Sequence, residues 1–544
     1  MSAPGRYLRT LWYLRPKQIA ARAWFRLHRP RPDLRVAPAA RKVSARYVEP
    51  AESLPSLLDP MRFRFLGVER RCAVAADWRP PGVDKLWVYN LHYFDDLNAE
   101  GANERSSWHR ELLSRWVAEN PPGEAEGWEP YPVSRRIVNW VKWSLRGERL
   151  PDACHESLAV QARWLSRRLE FHLLGNHLLS NAKALLHAGM YYDGPEAKDW
   201  CARGRAILER ELTEQVLPDG GQFERSPMYH AGALEDLLDL INLLRAYGES
   251  PPAPWSDCVV RMRRWLTVMT HPDGEIAFFN DAAFGIAPRP ADLHAYALRL
   301  GFAPFAPLRE PLVMLEPSGY VAARAGPAYL LCDCAPLGPD YQLGHAHADT
   351  LSFEMSLHTH RLFVNSGTSR YGTDNERQRQ RGTAAHNTVV VNDGDSSEVW
   401  SGFRVGRRAR ARLQSASQTP ERILIAASHD GYRDLPGHNQ HTRQWSLTAQ
   451  SLRIDDSLTG AYRRAEARFH LHPQVSVRAG GARQLLLRLP GGSGASMTFE
   501  HADAVEVRPT TWHPFFGAEV ANQCVIARFG GGKLTTCVTW DARG

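Results

Sequence analysis

The sequence predicts an α+β protein in which a helical domain precedes a β-rich domain. Two patterns carry this prediction. From about residue 104 to residue 299, apolar residues recur with a helical period, and short turns containing proline or glycine separate the segments. After about Pro311, shorter segments typical of β-strands replace them. At 544 residues the chain is also too long for one hydrophobic core, which favours two large domains.

The predicted helices are joined by short connections, which fits either a helix bundle or an incomplete toroid. They cover residues 104–119, 134–147, 152–170, 175–190, 195–216, 227–247, 256–270 and 291–300. A compact region begins near Leu86, ahead of the first of these helices. We place the helical domain at residues 46–310.

The β-rich part opens with a predicted hairpin over residues 319–334 that turns at Gly326-Pro327. Further strands are predicted over residues 351–357, 361–365, 388–391, 408–417, 422–427, 443–455, 467–472, 484–489, 496–500, 524–529 and 534–539. We place this domain at residues 311–544.

A basic amphipathic arm and a tether, residues 1–45, precede the helical domain. Arginines and Lys17 alternate there with leucine, tyrosine and tryptophan. The pattern favours a helix packed on its own protein with a solvated basic face, and the alternative is peripheral contact with an anionic membrane surface. The segment lacks the apolar core of a secretory signal, so we expect a cytoplasmic or inner-membrane-associated protein.

The composition narrows the class of partner. A formal net charge of +8 favours an anionic partner. The sequence contains no nucleic-acid recognition motif, so we expect no nucleic-acid partner. Its 8 cysteines include no C-x-x-C pair, which predicts buried thiols and neither a disulfide framework nor a zinc knuckle.

The first candidate site opens the helix predicted at residues 175–190. Asn176, Ser180, Lys183 and His187 are spaced i, i+4, i+7 and i+11 and form one polar stripe on a leucine-rich helix. The stripe fits a solvated helix face equally well. However, side chains and free backbone N–H groups at a helix start can bind an anion together.

The second candidate is Tyr229 in the first turn of the next-but-one helix. Ser226 is a natural N-cap and Pro227 a natural first helical residue. The positive end of the helix dipole and the neighbouring Arg225 would favour a phenolate, so we expect Tyr229 to exchange protons more readily than an ordinary phenol. The alternative is a tyrosine that hydrogen-bonds within the core.

The third candidate is the cluster His345, His347 and Asp349. These residues share the parity of Leu351 and Phe353, so we expect them to continue a half-buried strand and to leave the sheet on its covered face. A zinc hydrolase with this motif would carry another histidine directly after the aspartate, whereas Thr350 and a strand follow here. The hydrolase alternative is therefore weak.

The fourth candidate is His386, which precedes another predicted strand. Arg377, Arg379 and Arg381 lie just before it in a predicted loop. Histidines thus precede two predicted strands of the same domain, and a basic loop lies beside one of them. This arrangement indicates a functional site in the β-rich domain.

Taken together, these segments resemble the heparinase II/III family of polysaccharide lyases. The resemblance rests on residues 175–177, 224–229, 344–353, 365–368 and 386–388, which follow the family's order. It implies an N-terminal incomplete (α/α) toroid followed by an antiparallel β-sandwich domain. It also implies β-elimination at a uronic acid of an anionic polysaccharide, linked to exopolysaccharide metabolism.

The resemblance further implies a role for each candidate residue. Asn176, with His177, would neutralise the uronate carboxylate. Tyr229 would protonate the leaving O4, and either Tyr229 or His345 would remove the C5 proton, depending on the stereochemistry at C5. Substrate-binding side chains would be Glu224, Arg225, Arg377 and Arg381.

Several members of the family hold a structural zinc ion, and the corresponding positions here are His347, Asn365 and His386. An amide is a poorer zinc ligand than a carboxylate, so a metal-free site held by hydrogen bonds is the alternative. The competing function is a catalytically inactive polysaccharide-binding protein of an exopolysaccharide assembly system. Tyr229 and His345 together favour the enzyme.

Overall fold

The computed structural model describes residues 3–305 and 307–541. The predicted domain limits also include residues 1, 2, 306 and 542–544, which lie outside this part of the chain. The helices are α1 (Ala3–Leu11), α2 (Pro16–Leu27), α3 (Lys85–Tyr93), α4 (Ser106–Glu119), α5 (Pro130–Leu145), α6 (Asp152–Ser166), α7 (Gly175–Tyr191), α8 (Pro195–Gln215), α9 (Pro227–Ala246), α10 (Ala253–Val268), α11 (Pro290–Arg299) and α12 (Asn375–Arg381).

Strands dominate after residue 311, and a small meander precedes α3. They are β1 (Leu57–Asp59), β2 (Arg62–Phe65), β3 (Val68–Arg71), β4 (Leu312–Leu315), β5 (Tyr320–Ala325), β6 (Ala328–Asp333), β7 (Phe353–Leu357), β8 (His360–Phe363), β9 (Val389–Val391), β10 (Val399–Trp400), β11 (Arg404–Val405), β12 (Ala411–Gln418), β13 (Ile423–Tyr432), β14 (Asn439–Leu447), β15 (Ser451–Thr459), β16 (Ala465–Leu471), β17 (Ser476–Gly481), β18 (Gln484–Arg488), β19 (Gly494–Glu500), β20 (Ala504–Trp512), β21 (Val520–Phe529) and β22 (Lys533–Trp540).

Two large antiparallel sheets form a β-sandwich. One has the order β12-β13-β14-β15-β22-β19-β18-β17, and the other has the order β20-β21-β16-β8-β7-β6-β5-β4, with β9 paired to β16. Their facing side chains share one apolar core, in which Leu330 and Phe353 of the second sheet lie in the same cluster as Trp445 and Val538 of the first. The predicted α+β class, a helical toroid domain followed by an antiparallel β-sandwich, is confirmed.

Strands β6 and β7 of the second sheet, and most of β5, are buried on both faces. Alternate residues of β5 and β6 point in opposite directions, so Val321 lies in the sandwich core while Tyr320 and Tyr329 pack against Trp265 of α10. The helical domain therefore covers the face that would otherwise meet water. At this face of the sheet, residues of the helical domain and of the β-sandwich domain lie in contact.

This burial corrects the strand predicted through the His345 motif. The strand begins only at Phe353, all five residues of β7 are buried, and Leu351 has a left-handed φ of 59° that interrupts the extended chain. Glu354, expected on the solvent side, accepts a hydrogen bond from the backbone N–H of Phe278 at 3.1 Å. His345 and His347 consequently lie on a loop and not on a strand.

Most other predicted elements occur within a few residues of their predicted limits, and the hairpin turn at Gly326-Pro327 is confirmed. Two predictions are wrong. Residues 375–381 form the helix α12, capped by the Asp374 side chain, and not a loop. The single strand predicted over residues 443–455 is the hairpin β14–β15, because Thr448 Oγ1 accepts from the backbone of Ser451 and closes a turn there.

The N-terminal arm forms two helices that pack on the rest of the protein. Arg6 and Arg9 of α1 pair with Glu398, and Gln18 of α2 donates to the Tyr341 carbonyl at 3.3 Å. None of the described helices is both long and apolar enough to cross a membrane. All 8 cysteines are free thiols.

Candidate active site

Asp281, on the segment between α10 and α11, is the centre of the site. Its carboxylate accepts hydrogen bonds from His345 Nδ1 at 2.9 Å and His347 Nε2 at 2.8 Å. Arg377 of α12 binds the same carboxylate through two nitrogen atoms, one at 2.8 Å. Although burial opposes it, these partners hold the pKa of Asp281 well below its usual value. Asp281 is therefore an anion that orients both histidines of the motif.

The backbone around Asp281 joins the two domains at this point. Ser226 Oγ caps α9 by accepting from the Tyr229 N–H at 3.2 Å, and it donates to the Asp281 carbonyl at 2.5 Å. The neighbouring Asn280 accepts from the His347 N–H at 3.1 Å. The start of α9 and the His345 loop are thus fixed relative to one another.

Tyr229 and His345 face each other across the domain junction. Their ring centres are 4.0 Å apart, and both side chains remain partly exposed. The roles implied by the resemblance require these two residues at one substrate unit, and the structure brings them together although they lie more than one hundred positions apart in the sequence. Tyr371 completes the group, since its hydroxyl lies 2.7 Å from that of Tyr229.

The predicted ease of proton loss from Tyr229 is wrong. Burial, followed by the nearby Tyr371 and Asp281, raises the pKa of Tyr229 well above its ordinary value. Arg225, which was expected to favour the phenolate, instead donates Nε–H to the Ser318 carbonyl at 2.9 Å. The phenol is consequently held in its protonated form, and the desolvation of the site outweighs the helix dipole.

His345 presents one nitrogen to the junction. Because Nδ1 donates to the ionised Asp281, the proton of the neutral ring is fixed there and Nε2 carries the free lone pair. Glu224 Oε2 lies 3.8 Å from this Nε2 and has no hydrogen-bond partner among the described residues. Burial raises the pKa of Glu224 above its ordinary value. Glu224 is almost fully enclosed on the Nε2 side of His345, and its predicted contact with substrate stays a prediction.

The start of α7 borders the same junction. Gly175 has a left-handed φ of 54°, which favours glycine, and a Cβ there would also meet the side chain of Gln342 at 2.1 Å, on the loop that carries His345. Asn176 follows, and its Oδ1 has no partner within the described residues. His177 pairs with Glu170 at 3.2 Å, and although burial opposes it, this carboxylate raises the pKa of His177. Asn176 and His177 therefore place donors and positive charge at a helix start.

Three predicted substrate-binding arginines are committed to protein partners. Arg377 and Arg381 are both 0% exposed. Arg377 binds Asp281, and Arg381 donates to the Ala346 carbonyl at 2.9 Å. Arg225 binds backbone carbonyls, as described above. The prediction that these side chains contact substrate directly is corrected, because they hold Asp281, the loop that carries His345 and the segment that precedes α9.

The predicted zinc ligands lie together, with an incomplete donor set. The rings of His347 and His386 are 5.2 Å apart, and His347 Nδ1 and His386 Nε2 are buried without hydrogen-bond partners in the described structure. Unpartnered imidazole nitrogens are of the type that binds zinc, whereas His386 turns its other nitrogen, Nδ1, toward the Asn365 oxygen at 3.3 Å. The Asn365 amide fits poorly, since its oxygen already accepts from Asn387 N–H at 3.3 Å and its nitrogen donates to the Phe278 carbonyl at 2.9 Å. No three acidic, histidine or cysteine side chains in residues 3–305 and 307–541 form a metal cluster. Zinc occupancy stays a prediction.

We expect the zinc content of the protein to depend on whether residue 365 carries a carboxylate, which Asn365 lacks. Protein purified without added metal should contain less than roughly a tenth of an equivalent of zinc, and Asn365→Asp should raise this toward about one equivalent. Elemental analysis of both proteins measures the difference. Asn365→Ser, which adds no charge, is the matched control. Near-stoichiometric zinc in the unaltered protein would show that the amide is a sufficient ligand.

Sequence reasoning missed three residues of this site. Asp281 stands with Asn280 as a polar pair within an otherwise apolar run, which is a signal that was overlooked. Tyr371 gave no local signal. Phe403, at the tip of the β10–β11 hairpin, packs edge-on against the rings of His345 at 5.8 Å and Tyr371 at 5.0 Å. Phe403 is 44% exposed and forms a wall of the junction.

Curated relatives match parts of this chain. A heparin-sulfate lyase from Bacteroides stercoris is 28% identical over 246 residues, which is 40% of this chain and 36% of the relative. A heparin-sulfate lyase from Pedobacter heparinus is 29% identical over 192 residues, covering 31% of this chain and 28% of the relative. The matches thus span about a third of the length of these relatives.

Solved structures share the fold over nearly the whole chain. A crystal structure of heparinase III has a TM-score of 0.73 and 17% identity, and the match covers 100% of this chain and 93% of that one. The heparan sulfate lyase from Pedobacter heparinus has a TM-score of 0.58 and 18% identity, covering 96% of this chain and 87% of that one. At these identities the likeness concerns the fold.

Two family models cover most of the sequence. The model described as Heparinase II/III N-terminus matches residues 100–288, and the model described as Heparinase II/III-like, C-terminal, matches residues 307–541. Between them they include both sides of the junction, with Asn176, Tyr229 and Asp281 in the first and His345 in the second. The chain belongs to the heparinase II/III family.

Proposed function

We propose that this protein is a polysaccharide lyase that cleaves an anionic, uronic-acid-containing polysaccharide by β-elimination. The observation that carries the proposal is the pairing of a protonated phenol, Tyr229, with an imidazole whose free nitrogen is fixed by Asp281. An elimination needs an acid and a base on one substrate unit, and this pair supplies both. The formal net charge of +8 suits an anionic polymer.

The reaction assigns one proton transfer to each residue. His345 Nε2 removes the C5 proton of the uronate. The electron pair of the broken C5–H bond forms the C4=C5 double bond, and the C4–O4 bond breaks. Tyr229 donates its phenolic proton to the departing O4. The products are an unsaturated uronate at one new end and a free hydroxyl at the other.

The raised pKa of Tyr229 supports its assignment as the acid. A phenol whose pKa lies above the ordinary value of 10.0 keeps its proton at neutral pH and is a poor base before substrate binds. Its partner Tyr371 lies within hydrogen-bond distance and is one of the groups that raise this pKa. Removal of the C5 proton therefore falls to His345.

The start of α7 supports the activation of the C5 proton. That proton becomes acidic when the charge that spreads onto the carboxylate during abstraction is stabilised. The Asn176 side chain has no protein hydrogen-bond partner among the described residues, and His177 beside it carries a raised pKa. Both lie at the positive end of a helix, where an anion is stabilised by free backbone N–H groups.

The test is a panel of uronate-containing polysaccharides, followed by the ultraviolet absorbance of unsaturated uronate ends. We expect absorbance to grow with at least one polymer. Binding of a polymer without any unsaturated product, on every member of the panel, would replace the lyase by an inactive polysaccharide-binding protein. The panel also separates polymers by uronate stereochemistry, which decides whether His345 can reach the C5 proton.

Asn176→Ala should lower turnover by roughly 100-fold, because it removes the amide that stabilises the developing charge on the carboxylate. Substrate affinity should fall less than turnover if the charge is stabilised mainly during the reaction. Initial rates and equilibrium binding measure the two effects. Ser180→Ala, one turn further along the same helix, is the matched control and should change turnover only slightly. Equal effects of the two substitutions would remove Asn176 from the mechanism.

A further inference from the structure

The helices α1 and α2 each bind the rest of the protein through part of their surface. The inner face of α1 carries Arg6 and Arg9, which pair with Glu398. The inner face of α2 carries Gln18, which is buried, and Phe25, whose ring centre lies 4.1 Å from that of His172. The arm is therefore held on the protein surface in a defined orientation.

The outer face of these helices is apolar and exposed. In α2, Pro16, Ala20, Ala23 and Leu27 follow the i, i+4, i+7, i+11 spacing of one helix face, with Ile19 and Trp24 beside them. Trp12 is 85% exposed, Leu27 83% and Trp24 63%. We define the outer apolar face as Leu8 and Leu11 of α1, Trp12 in the turn that follows, and Ile19, Trp24 and Leu27 of α2.

Such exposure is exceptional in this molecule. Trp12 and Trp24 are the only exposed tryptophans among the described residues, since all others are buried or partly buried. Large apolar side chains scattered singly need no explanation, whereas six exposed ones within residues 8–27 indicate an interaction site. The outer apolar face therefore requires a partner.

The charge around this face restricts the partner. The first acidic residue of the chain is Asp33, so the whole arm is basic. Arg26, Arg29 and Arg31 are exposed and make no ion pair with any described residue. Arg26 lies two turns after Ile19 and so flanks the apolar face. The partner must accept both apolar side chains and positive charge.

An anionic lipid surface meets both conditions. A second copy of this chain would place like charges against each other. A hydrated anionic polymer would leave the leucine and isoleucine side chains exposed to water. We propose that the outer apolar face of α1 and α2 docks on an anionic phospholipid membrane, with Trp12 and Trp24 at the headgroup level and the arginines against lipid phosphates.

Docking would also fix the orientation of the candidate active site. The same helix α2 donates to the Tyr341 carbonyl, four residues before His345. The hairpin anchored by α1 through Glu398 carries Phe403, which packs against His345. The arm therefore connects the proposed membrane-facing surface to the loop that carries His345 and to the hairpin that carries Phe403.

Vesicle co-sedimentation tests the proposal. The complete chain is mixed with vesicles of phosphatidylcholine alone or of phosphatidylcholine with phosphatidylglycerol, at low and at high salt. We expect binding to the anionic vesicles, weakening with salt, and little binding to phosphatidylcholine alone. Tryptophan fluorescence should shift to shorter wavelength on binding, because the exposed tryptophans enter the interface.

Substitutions on the outer apolar face should remove this binding. The triple variant Trp12→Gln, Trp24→Gln, Leu27→Gln should lower the vesicle partition coefficient by roughly 100-fold or more. The matched control, Val260→Gln with Leu298→Gln, changes exposed apolar residues of α10 and α11 and should leave binding unaltered. Circular dichroism confirms that each variant is folded.

Four results would overturn the proposal. The unaltered protein could fail to bind anionic vesicles at low salt, or the triple variant could bind them as well as the unaltered protein. Alternatively, the triple variant could convert a dimer into a monomer in light scattering, which would assign the face to a second copy. Finally, the double variant Arg26→Gln, Arg29→Gln could lose polysaccharide binding while the unaltered protein binds no vesicles. That result would assign the outer apolar face to the polysaccharide.

Discussion

Replacing Tyr229 by phenylalanine should lower turnover by roughly 100-fold or more while leaving substrate affinity nearly unchanged. The substitution removes only the hydroxyl that is proposed to protonate O4, and the ring that packs on His345 remains. Without that proton, O4 must depart as an alkoxide or receive a proton from water. Initial rates and equilibrium binding on one uronate polymer measure the two quantities separately.

Tyr371→Phe is the matched control for this prediction. It removes the partner hydroxyl at 2.7 Å and leaves the Tyr229 proton in place, so turnover should fall less, by roughly tenfold. The pH profile adds a second check. Because the pKa of Tyr229 is raised, the acid stays protonated, and turnover should not decline from its ionisation below pH 10.0. Near-normal activity of Tyr229→Phe would exclude this tyrosine as the acid.

The helices could be predicted from the sequence because their signals are local. The apolar period, the proline after Ser226 and the capping hydroxyl all act within a few residues, and the cap on Tyr229 N–H is present as predicted. The hairpin at Gly326-Pro327 has the same local origin. Family motifs then placed Tyr229 and His345 together, which no local pattern can do.

The strand through His345 was misjudged because the burial of its second face depends on another domain. Alternation of apolar and polar residues predicts one wet face, yet Glu354 is fully buried against the helical domain. The Glu354 carboxylate accepts hydrogen bonds from buried backbone N–H groups at that contact, so a polar residue at this position does not indicate exposure to solvent. A single sequence cannot separate these two origins of a polar residue in a strand.

The direction of the Tyr229 pKa was misjudged for a related reason. The helix dipole and Arg225 are visible in the sequence, whereas desolvation and the orientation of the guanidinium are set by tertiary packing. Arg225 turns toward Ser318, so its charge does not stabilise the phenolate. Asp281 escaped notice because its partners, His345, His347 and Arg377, come from segments far along the chain.

Asp281→Asn should reduce turnover by roughly 100- to 1000-fold, because a neutral amide no longer holds His345 with its Nε2 lone pair toward the substrate. It should also lower the free energy of unfolding by about 3–5 kcal/mol, since the buried Arg377 loses its anionic partner. Initial rates and urea unfolding measure the two effects. Rates are compared at a temperature where both proteins are folded by circular dichroism.

A second buried aspartate separates the catalytic effect from the loss of stability. Asp456 in the β-sandwich accepts from Arg443 at 2.7 Å and from His441 at 2.7 Å, so its surroundings repeat those of Asp281 away from the junction. Asp456→Asn should therefore destabilise the protein by a similar amount and leave turnover of the folded protein nearly unchanged. If both substitutions reduced turnover equally, the loss at Asp281 would follow from stability alone. A large loss at Asp281 only would support the orientation of His345 as the function of this carboxylate.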